Sequence, residues 1–225
     1  MKKFITLALC LLFAVGLTAK VHHKNVQKKS FGIDISHHNG NINFAKLKQQ
    51  PSSKRPKFVV CKATDGKRRD RTFTKNFVSA KKQGFAVGAY HYYQPDQNPK
   101  VQAANYIKAV KLHKGNIRPV VDIEQKSKKI STNAMKNNLK IFLTRIENHY
   151  GVKPIIYTGY SFYDQYLDRD FKKYPYWIAA YSKKKAATPI VKKAAVHQFT
   201  DKMKLKGNKC DFDGSKGYLA QMTIR

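Results

Sequence analysis

Short, almost continuously apolar runs alternate with amphipathic stretches along this chain. FGIDIS (31–36), KFVVCKAT (57–64), FAVGAYHYY (85–93), RPVVDIE (118–124) and KPIIYTG (153–159) are the clearest of the apolar runs. They lack the in–out alternation of a sheet with one wet face, so they predict strands buried on both sides. Between them the apolar positions change to helical spacing. FTKNFVSAKKQG (73–84) closes on Gly84, a helix stop signal. Residues 99–113 open on Pro99 and are followed by Gly115, which predicts a second helix. Residues 131–150 form the longest pattern, with Ser131 as cap and Leu139, Phe142, Leu143 and Ile146 on one side. YPYWIAAY (174–181), AAVHQFT (194–200) and NKCDFD (208–213) predict three further strands with little helix between them. Strands that alternate with helices predict an α/β chain with a parallel sheet, closed as a βα barrel. An open doubly wound sheet is the alternative, but the GxGxxG fingerprint after the first strand is absent.

In a βα barrel, chemistry gathers at the C-terminal ends of the strands. Several acids fall there: Asp34 near the end of the first strand, Asp65 after the second, Asp122 and Glu124 at the fourth, Asp211 and Asp213 at the last. Asp122 and Glu124 are two residues apart, so an extended backbone points both to one face with Cα atoms about 6.6 Å apart. Carboxyl groups that share a site raise one another's pKa, which keeps one protonated near neutral pH. Glycoside hydrolysis uses such a pair. Structural salt bridges with nearby Lys or Arg, or a Ca²⁺ or Mg²⁺ site, would use the same residues.

Composition makes those acids conspicuous. The 225 residues hold 45 Lys and Arg against 13 Asp and Glu, a formal net charge of +32. Such a field favours anionic partners: acidic cell-wall polymers, lipid surfaces or nucleic acid. The basic residues are spread along the chain, as in SKKKAA, KLHKGN and KSKKIS, and no nucleic-acid recognition motif accompanies them. No specific nucleic-acid partner is therefore expected.

The first residues look like a secretory signal. Lys2 and Lys3 precede the apolar run Phe4 to Leu17, with a cut expected near Ala19. The expected organisation is a signal peptide (1–19), a basic flexible lead-in (20–30) and one catalytic domain (31–225), secreted or periplasmic and monomeric. Cys61 lies in a strand-like run and reads, with Cys210, as a free thiol. No cofactor or metal is implied: the histidines lack the spacing of a zinc set.

Taken in order, GIDISHHNG, FVVCKATDG, AVGAYHYY, RPVVDIE, PIIYTGY, YWIAAY, VHQFT and CDFDGS resemble the motifs of glycoside hydrolase family 25, the exported N-acetylmuramidases, from about Phe31 to Leu219. The resemblance implies a modified TIM-type β/α barrel with eight strands and about five helices. It also implies cleavage of the β-1,4 bond between N-acetylmuramic acid and N-acetylglucosamine in peptidoglycan. Carried over by motif, Glu124 would be the proton donor. Asp122 would stabilise charge or orient the substrate acetamido group, and Asp34 and Asp211 would complete the acidic cluster. The attacking group stays open between a carboxylate and the substrate's own N-acetyl group.

Tyr90, Tyr157, Trp177 and Tyr181 lie at strand ends, where flat faces stack on sugar rings. Gln198 and Asp65 complete the expected substrate contacts, while Tyr92 and Tyr93 are expected to pack the barrel. Two motifs depart from the family pattern: KATDG stands for KATEG, and HQF (197–199) for WQY. A second reading is a cationic wall- or membrane-binding protein on a catalytically impaired barrel.

Overall fold

The computed structural model describes residues 28–225, so the predicted signal sequence and residues 20–27 of the lead-in lie outside the described residues. Eight strands close into a barrel: Ser30–Ile35 (β1), Phe58–Asp65 (β2), Ala86–Tyr92 (β4), Val120–Asp122 (β5), Ile155–Gly159 (β6), Tyr176–Ala179 (β7), Val196–Lys204 (β8) and Asp211–Gly217 (β9). The order around the ring is β1-β2-β4-β5-β6-β7-β8-β9 and back to β1. A two-residue strand, Arg68–Arg69 (β3), folds back on the end of β2 as a hairpin arm.

The closed ring is parallel except at β9, which runs antiparallel to both β8 and β1. This corrects the expectation of a parallel sheet. Parallel neighbours need a crossover of a dozen residues or more, whereas residues 205–210 make only a hairpin turn between β8 and β9. The last strand also begins at Asp211 rather than 208 and continues to Gly217.

Long helices follow only the first strands. Phe73–Lys82 (α2), Pro99–Ala109 (α3) and Thr132–Tyr150 (α4) cover the outside of the barrel. In α4 the Ser131 Oγ accepts from the Ala134 N–H, and Gly151 closes the helix at φ 68°, a left-handed conformation that glycine adopts without a Cβ penalty. The remaining helices are short: Phe44–Lys48 (α1), Tyr160–Phe162 (α5), Lys183–Ala186 (α6), Pro189–Lys193 (α7) and Leu219–Met222 (α8). The eight α-helices among the described residues outnumber the expected five because the second half of the ring is covered in short pieces.

Two apolar layers result from the strand alternation. Outward residues such as Ile33, Val59, Val87, Val121, Ile156 and Ile178 pack under the helices with Leu139, Phe142 and Ile146. Inward residues Phe58, Val60, Val120, Ile155, Trp177 and Val196 fill the ring, closed at one end by Ile117 and Met222. A Cβ on Gly32 would lie 2.4 Å from the Phe58 ring, so the absent side chain on β1 is what lets Phe58 occupy the barrel. Further along the same inward positions, apolar side chains give way to polar ones. That change of chemistry within each strand opens the barrel at one end.

Candidate active site

At that open end lies a cavity of about 500 Å³ lined by inward residues of β1, β2, β4, β5, β6, β7 and β9. Strand register sets its walls. Tyr92, Asp122 and Tyr157 are neighbours across β4, β5 and β6, and Trp177 stands beside Tyr157 on β7. Asp34 and Asp213 are direct partners across the antiparallel β1–β9 pair.

Four carboxyl groups, Asp34, Asp122, Glu124 and Asp213, therefore face one space. Asp122 is 7% exposed, and its Oδ1 is buried without a fixed donor. Burial, and then the adjacent Glu124, push the Asp122 carboxyl well above the usual range; Lys62 acts against both. Glu124 is raised as well, chiefly by burial among these groups, while the hydrogen bond from Asp122 and the Lys62 charge pull it back. Two such groups in contact share a proton, since two charges at that range cannot both be desolvated cheaply. Asp34 and Asp213 form a second pair. Burial raises Asp34 far above its ordinary value, with Asp213 adding to it, and Asp213 is pushed up to about 6, again mainly by burial.

Gln198 organises the floor. Its Nε2 donates to Asp34 Oδ2 at 3.0 Å, and its Oε1 accepts from Tyr157 (2.9 Å) and Tyr181 (2.6 Å). The indole N–H of Trp177 donates to Ser215 Oγ at 3.0 Å, and its ring meets Tyr157 edge-on. Asp65, in the KATDG position, is held by Lys62 (3.1 Å) and the Gln94 amide (2.7 Å). These contacts lower its pKa despite burial, which acts the other way.

His91 is structural. Gln102 Oε1 can only accept, so His91 Nε2 carries the proton at 3.1 Å and Thr64 donates to Nδ1 at 2.7 Å. Burial depresses this imidazole to about 4. The same Gln102 oxygen accepts from the Gln94 backbone N–H, so this buried network sets the loop that holds Asp65. His37 pairs with Asp70 at 2.6 Å, whereas His38 lines the cavity.

The structure brings most of the sequence-derived residues together. Asp34, Asp65, Tyr90, Asp122, Glu124, Tyr157 and Trp177 line the cavity, and Gln198 and Tyr181 support it from the side. Asp211 is a correction: its carboxylate pairs with Lys204, and Asp213 occupies the place expected of it. Asp211 and Asp213 share a face of β9, but its antiparallel course sets Asp213 opposite Asp34, whereas Asp211 lies beyond the end of that pairing and opposite Lys204. Tyr92 is a second correction, since it lines the cavity, while Tyr93 is buried in the core as expected. His197 of the HQF variation does not line the cavity; its Nε2 donates to the Ala180 carbonyl at 2.9 Å. Cys61 is buried and Cys210 partly exposed, unpaired with one another.

Sequence reasoning missed Lys62, an inward β2 residue only 8% exposed, whose ammonium lies over the Tyr92 ring at 4.6 Å. Its signal was the period of two, which places residue 62 on the face of Phe58 and Val60.

Known proteins are similar to this chain. The profile of the Glycosyl hydrolases family 25 matches residues 33–208. The uncharacterized protein YegX of Escherichia coli (strain K12) is 33% identical over 152 residues, 67% of this chain and 56% of its own length. Lysozyme M1 of Streptomyces globisporus is 27% identical over 161 residues, 66% of this chain and 53% of its own. The chain thus spans about half the length of the curated relatives it matches. Among solved structures, a family 25 glycosyl hydrolase from Bacillus anthracis superposes with a TM-score of 0.76 at 28% identity, over 88% of this chain and 92% of that one. With a profile match across most of the described residues and a barrel that opens on four carboxyl groups, the chain belongs to the glycosyl hydrolases of family 25.

Proposed function

We propose that this protein is a lysozyme that hydrolyses the β-1,4 bond between N-acetylmuramic acid and N-acetylglucosamine in peptidoglycan, with Glu124 as the proton donor. The observation that carries this reading is the asymmetry of the D-x-E pair. Asp122 is buried with one oxygen lacking a fixed donor, while Glu124 stands exposed at the mouth and shares a raised pKa with it. An acid whose pKa is raised and that is open to substrate is what a leaving glycosidic oxygen requires, and its neighbour Asp122, raised by burial and by Glu124, opposes ionisation of both together. Asp122 Oδ1 remains free to accept from the acetamido N–H of the sugar, and the carboxylates of Asp34 and Asp213 stabilise positive charge as the ring becomes oxocarbenium-like. Tyr90, Tyr92 and Tyr157 supply flat and hydroxyl-bearing walls for the sugar, and the buried Trp177 backs Tyr157.

The test is incubation of the purified protein with peptidoglycan, followed by mass spectrometry of the fragments. New muramic-acid reducing ends support the reading; their absence from pH 4 to 8 with folded protein overturns it.

The net charge of +32 favours a second property on the same barrel. In this reading the exported monomer adsorbs to anionic wall polymers or lipid surfaces independently of catalysis. Adsorption that survives Glu124→Gln and falls steeply with salt supports it; binding indifferent to salt refutes it.

A further inference from the structure

Glu124 borders two hollows. Beyond it, away from the carboxyl cluster, a second hollow of about 550 Å³ runs between the turn after β6 and the turn after β7. Gly159, Tyr160 and Ser161 form one wall; Ala180, Tyr181 and Lys185 form the other. Among the described residues, Glu124 and Lys185 are the only charged ones that line it. Lys185 is tethered there. Its Nζ donates to Ser161 Oγ at 3.0 Å across the hollow and lies 6.0 Å from the centre of the Tyr160 ring. The Ser182 cap of α6 fixes the start of the helix that carries it, by accepting from the Lys185 N–H at 3.3 Å.

Charge decides which part of a glycan goes where. Asp34, Asp122 and Asp213 all line the first cavity, so the ring that turns cationic sits there. The leaving oxygen lies at Glu124, and the departing strand then extends into the second hollow. Peptidoglycan strands are acidic: each muramic acid carries a lactyl ether whose carboxyl is free or extended by a peptide that ends in carboxylates. One ammonium, held by a hydroxyl and free of any acidic partner among the described residues, suits such a group.

We propose that the second hollow receives the aglycone side of the strand and that Lys185 pairs there with a carboxylate borne by the glycan. This rests on the muramidase reading. It makes Lys185 a specificity-determining residue that favours acidic strands over neutral ones.

The experiment compares three substrates: peptide-bearing glycan strands, strands stripped of peptide that keep the lactyl carboxylate, and strands whose carboxyls have been converted to methylamides. Binding is measured by calorimetry on the Glu124→Gln protein, and kcat/KM on the protein with Glu124 intact. Acidic strands are expected to be favoured over the amidated ones by about three- to fivefold, the range of an exposed ion pair. Lys185→Met should abolish that ratio, and Lys185→Arg should keep it. A preference that survives removal of the peptide assigns the lactyl carboxylate; one that vanishes with it assigns the stem peptide. Equal binding of acidic and amidated strands, or a ratio unchanged in Lys185→Met, overturns the inference. Because binding is read without turnover, this outcome is separate from a protein that cleaves none of the strands, which would overturn the muramidase reading itself.

Discussion

Gln198 donates its amide N–H to the Asp34 carboxylate at 3.0 Å, and this one contact ties the acid cluster to two tyrosines of the rim. The other end of the same amide accepts from Tyr157 and Tyr181. Gln198 is 1% exposed, so its amide makes these bonds inside the protein. Gln198→Leu leaves Asp34 and both hydroxyls short of a partner. The expected cost is about 1–3 kcal/mol of stability, with a loss of activity as Asp34 loses a bond that favours its charged form. Denaturant unfolding and the pH dependence of kcat/KM check the two effects separately.

Glu124→Gln removes the proton donor and preserves the shape. Activity on peptidoglycan should fall by about 10²- to 10⁴-fold, while the amide still bonds to Asp122. Thermal unfolding at neutral pH should be unchanged or slightly later, because one member of a crowded carboxyl pair has gone. Reducing-end assays and circular dichroism melts measure these.

The raised carboxyls also make stability depend on pH in a sense opposite to ordinary acids. Asp34, Asp122, Glu124 and Asp213 all sit above their unfolded values, Asp213 at about 6. Between about pH 4 and 6 the folded protein therefore binds more protons than the unfolded chain. Their contribution is fully present below the unfolded pKa and is lost as pH rises through the folded one. Tm should rise on going from pH 7 to pH 5, and Asp213→Asn should flatten that rise. A Tm that falls across this range would contradict the cluster as described.

Lys62 lines the same cavity as the D-x-E pair and pulls both pKa values down. Lys62→Met should shift the alkaline limb of the activity profile upward, because Glu124 then keeps its proton longer. Lys62→Arg should shift it less. An unmoved limb in Lys62→Met would mean that its ammonium serves only Asp65 and the Tyr92 ring.

Gly32→Ala tests the interior of the barrel. The added methyl would overlap the Phe58 ring, and overpacking of this kind costs about 1–3 kcal/mol. Gly32 contacts the apolar filling rather than a carboxyl, so the pH profile of the folded fraction should hold while Tm falls.

Much of this protein was legible in the sequence. Apolar runs and helical spacing located the barrel strands and the three long helices, because both periods are local properties of the backbone. The D-x-E pair was legible for the same reason: a period of two fixes that both acids share a face. Asp34, Tyr90, Tyr157 and Trp177 followed from the rule that strand ends carry the site.

What local pattern left undecided was direction and pairing. Asp211 and Asp213 are equally acidic and equally near a strand end; only the antiparallel course of β9 puts Asp213 beside Asp34 and leaves Asp211 with Lys204. Lys62 looked like one of 45 basic residues until ring closure set it against Asp122. Gln198 became a hub because strands far apart in the chain meet at its two ends. The sequence by itself determined which residues point into the barrel, since that depends on neighbours along the chain. Only the tertiary structure decided which of them touch, since a pKa, a shared proton or a filled cavity depends on distance through space between residues up to 179 positions apart (Asp34 and Asp213).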